Sequence, residues 1–140
     1  MSERAIFEAF LFAIAGLGLE VLETALLDYP TAKDNLLMGH ASAWYLPFYA
    51  VVPLWYFERL HATLFALPFY ARAAIYPLSF WTVEFAAMWL LRALLGKSPS
   101  EDSYRRSKWH VRGLIRLDLA PVWMCFGFVF EWMFRGLRGL

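Results

Sequence analysis

The chain has 140 residues, of which 61% are hydrophobic, 19% aromatic and 18% charged, and its formal net charge is +1. Soluble domains average about 45–50% apolar and about 25% charged residues, so a water-soluble protein of this size would expose too much apolar surface. The near-neutral charge gives no electrostatic reason to expect nucleic acid as a partner, and the single cysteine excludes an internal disulfide.

The first two apolar runs predict two membrane-spanning helices, because each approaches the about 20 residues that a spanning helix needs. The first helix covers about residues 5–27 and ends before Pro30, which cannot continue the hydrogen-bond ladder. The second helix covers about residues 43–61 and contains Pro47 and Pro53. Membrane helices tolerate internal prolines when neighbouring groups bond the freed carbonyls.

Two further apolar runs follow, and one polar segment separates them. The third helix is predicted over residues 69–95 and the fourth over residues 113–134, and residues 96–112 between them predict a loop rich in serine and charge. The predicted fold class is all-α, an integral membrane bundle of four transmembrane helices in a single domain. We expect a multi-pass protein of a cell or inner membrane. The alternative is a soluble helical bundle whose helices are unusually apolar.

Because successive helices cross the bilayer in opposite directions, the position of a residue in the sequence predicts its depth in the bilayer. The N-terminus lies on one side, called side A, and the loop over residues 96–112 lies on the opposite side, called side B. The polar side chains then sort into two layers. The larger layer, toward side B, contains Glu20, Glu84, Arg116, Asp118, His40, Ser42, Trp44, Tyr49 and Trp123. The secondary layer contains Glu58, Arg72, Tyr76 and Glu131.

Charged groups are expensive at this depth, since insertion scales place one charged side chain at a helix centre at about 2.5–3.5 kcal/mol. Such groups face the bundle interior, where they pair, protonate or bind an ion. In the larger layer Glu20, Glu84 and Asp118 outnumber Arg116. We expect at least one of these carboxyls to be protonated or to bind a cation. Pairing that only stabilises helix packing is an equal alternative for Glu20 and Glu84.

The sequence predicts no catalytic residue, no metal site and no cofactor. The three histidines are scattered over both sides of the bilayer and therefore suggest neither haem nor zinc. No phosphate-binding loop or nucleophile motif is present. Arg72 is expected to form a structural pair with Glu58 or Glu131.

Short motifs in the four predicted helices have a familiar order and spacing. They are FAIAGLGLEVLETALL with Gly16, Glu20 and Thr24; GHASAWYLPFYA with Gly39, Ser42, Trp44 and Tyr49; ARAAIYPLSFWTVEF with Arg72, Tyr76 and Glu84; and GLIRLDLAPVW with GFVFE, containing Gly113, Ile115, Trp123, Gly127 and Glu131. Together they resemble the transmembrane protein 229 family, also catalogued as ABC-transporter type IV. The resemblance implies a four-helix membrane protein and no settled activity. The family's Trp-Asp-Tyr motif is matched only loosely, by Asp102, Tyr104 and Trp109.

Three functions remain open. The first is a small transport or permeation component for a proton, cation or small solute, with Glu20, Glu84, Arg116 and Asp118 lining a polar cavity. Four helices make a narrow pore, so a homo-oligomer is expected. The second is a non-catalytic accessory or scaffold protein that binds a partner protein or a lipid of the bilayer. The third is a lipid-modifying enzyme with Glu84 or Asp118 as acid or base, which ranks last because no nucleophile or metal centre is predicted.

Overall fold

The structure is a computed structural model that describes residues 3–32 and 36–140, with only the backbone described for residues 28–32. Residues 33–35, in the connector predicted after the first helix, lie outside the described residues. The helices are α1 (Glu3–Ala32), α2 (Leu46–Phe65), α3 (Phe69–Leu95), α4 (Glu101–Arg105) and α5 (Ala120–Arg138). The strands β1 (His110–Val111) and β2 (Ile115–Arg116) form a small antiparallel hairpin. Short 3₁₀ turns at Ala43–Tyr45 and Leu117–Leu119 lead into α2 and α5.

Among the described residues, three stretches of helix are long and apolar enough to cross a membrane. They are Glu3–Leu27, Phe69–Leu95 and Leu117–Arg138. This confirms the prediction of a mostly helical chain with helices of membrane-spanning length. The helix α2 has 20 residues, but it is not among the three. Its prolines and tyrosines, together with Glu58, Arg59 and His61, lower its hydropathy.

The chain divides into two compact units. The first unit comprises Met1–Ala62 and Phe130–Leu140, and the second comprises Thr63–Val129. The first unit therefore contains α1, most of α2 and the last part of α5. The second contains α3, α4, the hairpin and the first part of α5.

Aromatic rings form the core of the first unit. The rings of Phe12 and Phe130 lie 5.6 Å apart between centroids, and those of Phe57 and Phe134 lie 5.5 Å apart. All four side chains are at most 2% exposed. Gly16 allows α1 to approach Tyr49 closely, because a Cβ at this position would lie 2.2 Å from Cγ of that ring. These contacts join α1, α2 and the end of α5.

The second unit has a comparable aromatic core between α3 and the first part of α5. Phe80 and Trp123 stack with centroids 5.2 Å apart and ring planes inclined by 2°. Tyr76 is buried against Gly127, where a Cβ would lie 2.3 Å from Cγ of the tyrosine. Small residues at such contacts let helices pack closely.

The connector between α3 and α5 is more ordered than the predicted loop. Gly96, with a φ of 80°, ends α3 in the left-handed conformation that favours glycine. The helix α4 and the strand β1 follow. Arg112 and Gly113 have φ values of 54° and 72°, and Leu114 N donates to Val111 O at 3.0 Å, which together are typical of a type I′ hairpin turn.

This turn corrects the predicted start of the last helix. The sequence predicts a helix from Gly113, whereas α5 begins at Ala120. Residues 113–119 form the end of the turn, β2 and a 3₁₀ turn instead. Hydropathy cannot separate a short apolar strand from a helix, which explains the error. Pro121 falls in the first turn of α5, where its missing N–H costs nothing.

Candidate functional site

The residues predicted for the larger polar layer fall in both units. Those in the first unit are Glu20, His40, Ser42, Trp44 and Tyr49. Those in the second unit are Glu84, Arg116, Asp118 and Trp123. Of the secondary layer, Glu58 and Glu131 belong to the first unit and Arg72 and Tyr76 to the second. Each unit therefore has its own set of predicted polar residues.

The first unit contains a carboxyl–tyrosine pair whose carboxyl lies in a helix of membrane-spanning length. Tyr49 Oη donates a hydrogen bond to Glu20 Oε1, from α2 to α1. The tyrosine is buried and Glu20 is half-buried. No cationic side chain among the described residues contacts the Glu20 carboxylate. Gly16, one helical turn before Glu20, provides the space that the tyrosine ring occupies.

The segment before α2 is fixed to α1 through Thr24. The Thr24 hydroxyl accepts from His40 N at 2.8 Å and lies 2.8 Å from His40 O. A Cβ at Gly39 would lie 1.9 Å from Val21 O, so only glycine fits at this close approach. The Gly39–His40 backbone is thus bound tightly to the helix that carries Glu20.

The remaining predicted residues of this segment do not reach Glu20. The His40 ring makes no hydrogen bond within the described part of the chain. Ser42 caps the 3₁₀ turn, where its Oγ accepts from Trp44 N at 3.3 Å. The indole of Trp44 is 52% exposed. Of the five residues predicted for the larger layer in the first unit, Glu20 and Tyr49 therefore contact each other. The other three residues lie in structural or exposed positions.

The second unit contains another carboxyl–tyrosine pair. Tyr104 Oη in α4 donates to Glu84 Oε1 in α3 at 2.5 Å. The Arg116 guanidinium lies 5.9 Å from the centroid of the Tyr104 ring, and its Nη2 donates to Asp118 Oδ2 at 2.5 Å. Ser107 Oγ donates to Asp118 at 3.3 Å. Glu84, Arg116 and Asp118 are thus gathered around Tyr104, a residue that the sequence prediction placed only in the loop.

The position of Arg116 corrects the prediction that it lies in the last membrane helix. Arg116 lies in β2, and Trp81 Nε1 donates to its carbonyl at 3.0 Å. Asp118 lies in the 3₁₀ turn before α5. Trp123 is buried against Phe80 and does not join the polar group. Its Nε1 has no hydrogen-bond partner within the described chain.

Two carboxylates of the secondary layer pair with arginines near the end of α5. Glu58 pairs with Arg138, and Glu131 pairs with Arg135 at 2.9 Å. The Arg72 guanidinium lies 5.7 Å from the centroid of the Phe128 ring. Tyr76 is a core residue.

A network of charges at the ends of α1, α2 and α5 was missed by the sequence prediction. Arg138 pairs with Glu58 and, at 2.5 Å, with Glu8, which is 2% exposed. Arg4 donates to Glu8 at 2.8 Å and to Leu137 O at 2.7 Å. The partners lie up to 133 positions apart in the sequence, so no local pattern reveals them.

A second missed network holds the connector to the end of α3. Glu101 accepts from Arg105 Nη2 at 2.8 Å and from Arg92 Nε at 2.9 Å. The hydrogen bond from Arg105, with those from the Ser98 N–H and Arg92, lowers the pKa of Glu101 to about 2 despite the opposing effect of burial. Arg92 Nη2 also donates to Arg112 O at 2.7 Å. This network fixes both α4 and the hairpin turn.

The described residues contain no group of three or more histidine, cysteine or acidic side chains placed to hold a metal ion. The chemistry that the arrangement offers is proton or cation binding by carboxyls that tyrosine hydroxyls orient. No protein-family model, curated protein or solved structure matches the chain. The resemblance to the transmembrane protein 229 family stays a prediction from its motifs.

Proposed function

We propose that the protein is a four-span membrane protein that serves as a transport or permeation component, with Glu20 as the group that binds a proton or cation. The observation that carries this proposal is the hydrogen bond from Tyr49 to Glu20, because Glu20 lies in a helix of membrane-spanning length. No cationic side chain among the described residues neutralises this carboxylate. An ionised carboxylate in hydrocarbon is costly without a counter-charge, and a bound proton or cation removes that cost.

A second carboxyl–tyrosine pair joins α3 to α4. Glu84 accepts a hydrogen bond from Tyr104 at 2.5 Å, as Glu20 does from Tyr49. Ionisable residues inside membrane helices commonly mark ion and proton pathways. Two carboxyls of this type are more than helix packing requires, because an apolar contact would pack a membrane helix without the desolvation cost.

The number of spans follows from where α1 begins and α5 ends. Within the first unit, Arg4 donates to Leu137 O at 2.7 Å, so these two residues adjoin. If α1 begins and α5 ends on the same side of a bilayer, the chain crosses the bilayer an even number of times between these two points. The three helices that are long and apolar enough to cross a membrane give an odd number, so α2 supplies the fourth crossing. Four crossings make the protein multi-pass, in agreement with the family resemblance.

A scaffold is the second candidate function, and the charge network of the first unit favours it. Arg138 joins Glu8 and Glu58, and this pairing stabilises the contact of three helices without moving any solute. A scaffold retains a stoichiometric partner protein during purification in mild detergent. A transport component of this size instead purifies as a homo-oligomer, because four helices enclose only a narrow path.

Proton flux in reconstituted liposomes tests the transport proposal. We expect the wild-type protein to dissipate an imposed pH gradient and Glu20→Gln to slow this flux at least ten-fold, since glutamine keeps the hydrogen bond but cannot exchange a proton. The control is Glu3→Gln, an exposed glutamate of the same helix, which should retain the wild-type flux. Replacing the proton gradient with sodium or potassium gradients identifies the ion. Equal flux in wild type and Glu20→Gln, or none in either, contradicts the proposal.

A further inference from the structure

The connector over residues 96–119 carries more positive charge than its own carboxylates neutralise. It has six cationic and three anionic side chains. Each carboxylate is already paired: Glu101 with Arg92 and Arg105, Asp102 with Lys97, and Asp118 with Arg116. Within the described chain, Arg106, Lys108 and Arg112 have no carboxylate partner. Three uncompensated cations therefore lie within seven consecutive residues, 106–112.

Arg112 occupies a backbone position that does not favour arginine. It is the first central residue of the type I′ turn, with a φ of 54°. Such positions strongly favour asparagine, aspartate or glycine, because other side chains crowd the backbone in the left-handed region. Arg92 holds the strained residue in place by donating to its carbonyl at 2.7 Å. The Arg112 side chain itself is exposed. The turn geometry therefore does not account for an arginine at this position.

Trp109 lies among these cations and is 54% exposed. The Lys108 Nζ atom lies 5.7 Å from the centroid of its ring. The neighbouring Val111 is also exposed. Tryptophan beside exposed cations is typical of the membrane interface, where the indole sits at the level of the lipid headgroups. Because the connector directly follows α3, a helix of membrane-spanning length, it is placed to meet that layer.

We propose that Arg106, Lys108 and Arg112 bind the phosphates of anionic lipid headgroups, with Trp109 beside Lys108. Charge complementarity selects this ligand, since basic residues next to a membrane helix attract anionic lipids. Arginine also binds a phosphate through two parallel N–H groups, which lysine cannot do. The site requires α3 to span the bilayer, but it does not require that the protein moves any ion.

Native mass spectrometry of the purified full-length protein in detergent tests this site by comparing bound phosphatidylglycerol with bound phosphatidylcholine. The informative variant is Arg112→Asn, because asparagine suits the type I′ turn and removes only the charge. We expect the wild-type protein to prefer phosphatidylglycerol. Arg112→Asn should weaken that binding about five-fold, which corresponds to about 1 kcal/mol per cation at a membrane surface. Lys108→Gln is a second variant, which removes a charge outside the turn and therefore tests the site even if Arg112→Asn alters the turn.

The control is Lys97→Gln, which removes a cation of the same connector that already pairs with Asp102. It should leave phosphatidylglycerol binding unchanged. Equal loss in Lys97→Gln and Arg112→Asn would show a general charge effect and overturn the site. Equal wild-type binding of the two lipids would also overturn it. Glycerol 3-phosphate tests the source of the phosphate, because binding as tight as that of phosphatidylglycerol would replace the lipid site with a soluble-phosphate site.

Discussion

Gly16 and Tyr49 together determine the position of the tyrosine hydroxyl that binds the Glu20 carboxyl. The tyrosine ring lies in the space that a side chain at Gly16 would fill, and from there its hydroxyl reaches Glu20. Gly18, two positions further along α1, has nothing within 4 Å of its missing Cβ. The two glycines therefore have different roles in the same helix.

Alanine at each glycine tests this difference. Gly16→Ala places a Cβ 2.2 Å from Tyr49 Cγ, which forces the ring away from Glu20. We expect a loss of about 1–3 kcal/mol in stability, typical of overpacking. Gly18→Ala should be neutral or stabilise by about 0.5–1 kcal/mol, because alanine favours a helix. Thermal unfolding in detergent measures both. A similar change in the two variants would show that Gly16 does not position the tyrosine.

The connector over residues 96–119 is attached along half the length of α3. Its contacts run from Arg92 near the end of the helix to Glu84 and Trp81. From Trp81 to Leu95 the helix rises about 21 Å, whereas the hydrocarbon layer is about 30 Å thick. With α3 across the bilayer, as proposed, Tyr104 and β2 lie below the membrane surface. Non-helical backbone is tolerated at that depth where protein buries it or water reaches it.

The Glu101 network predicts that this attachment weakens in acid. The folded pKa of Glu101, about 2, lies below the usual 4.5, so ionised Glu101 stabilises the folded connector at neutral pH. The stabilisation is complete above about pH 4.5 and is lost as the pH falls toward 2. The protection of the backbone amides of residues 97–106 against hydrogen exchange, measured relative to the intrinsic rate at each pH, should therefore fall between these values in the wild-type protein.

Two variants separate Glu101 from general acid unfolding. Glu101→Gln should show weak protection of these amides at neutral pH and little further loss of protection in acid, because its side chain does not titrate. Asp102→Asn keeps Glu101 and should keep the wild-type pH response. A pH response that persists in Glu101→Gln would assign it to another group.

Hydropathy predicts the long helices well because it sums the contribution of about 20 residues, so single exceptions do not matter. It predicts the connector poorly, since the turn at Arg112–Gly113 depends on two φ angles and lacks the usual asparagine–glycine signal. The same limit applies to the candidate site. Depth in the bilayer, inferred from sequence position, predicts that Glu20 and Tyr49 lie in one layer. Depth does not find Tyr104, which reaches Glu84 only because the connector folds back along α3.

At the scale of the whole molecule, the first unit joins residues from the beginning and the end of the chain. Arg4 contacts Leu137, and Arg138 contacts Glu8, so this pairing has two independent contacts. An even number of membrane crossings satisfies both contacts, whereas three crossings would separate these residues by the bilayer. The proposed four-span topology therefore counts α2 as a span, although it is not among the three helices that are long and apolar enough to cross a membrane.

Labelling of single cysteines in sealed vesicles tests this topology. The variants are Glu3→Cys, Ser100→Cys and Leu140→Cys in a Cys125→Ser background, because the native cysteine is exposed. A membrane-impermeant maleimide should label residues 3 and 140 from one side and residue 100 from the opposite side. Permeabilised vesicles, in which all three positions should react, control for local burial. Three crossings would instead place residues 3 and 140 on opposite sides. That result would separate Arg4 from Leu137 and remove the basis for counting α2 as a span.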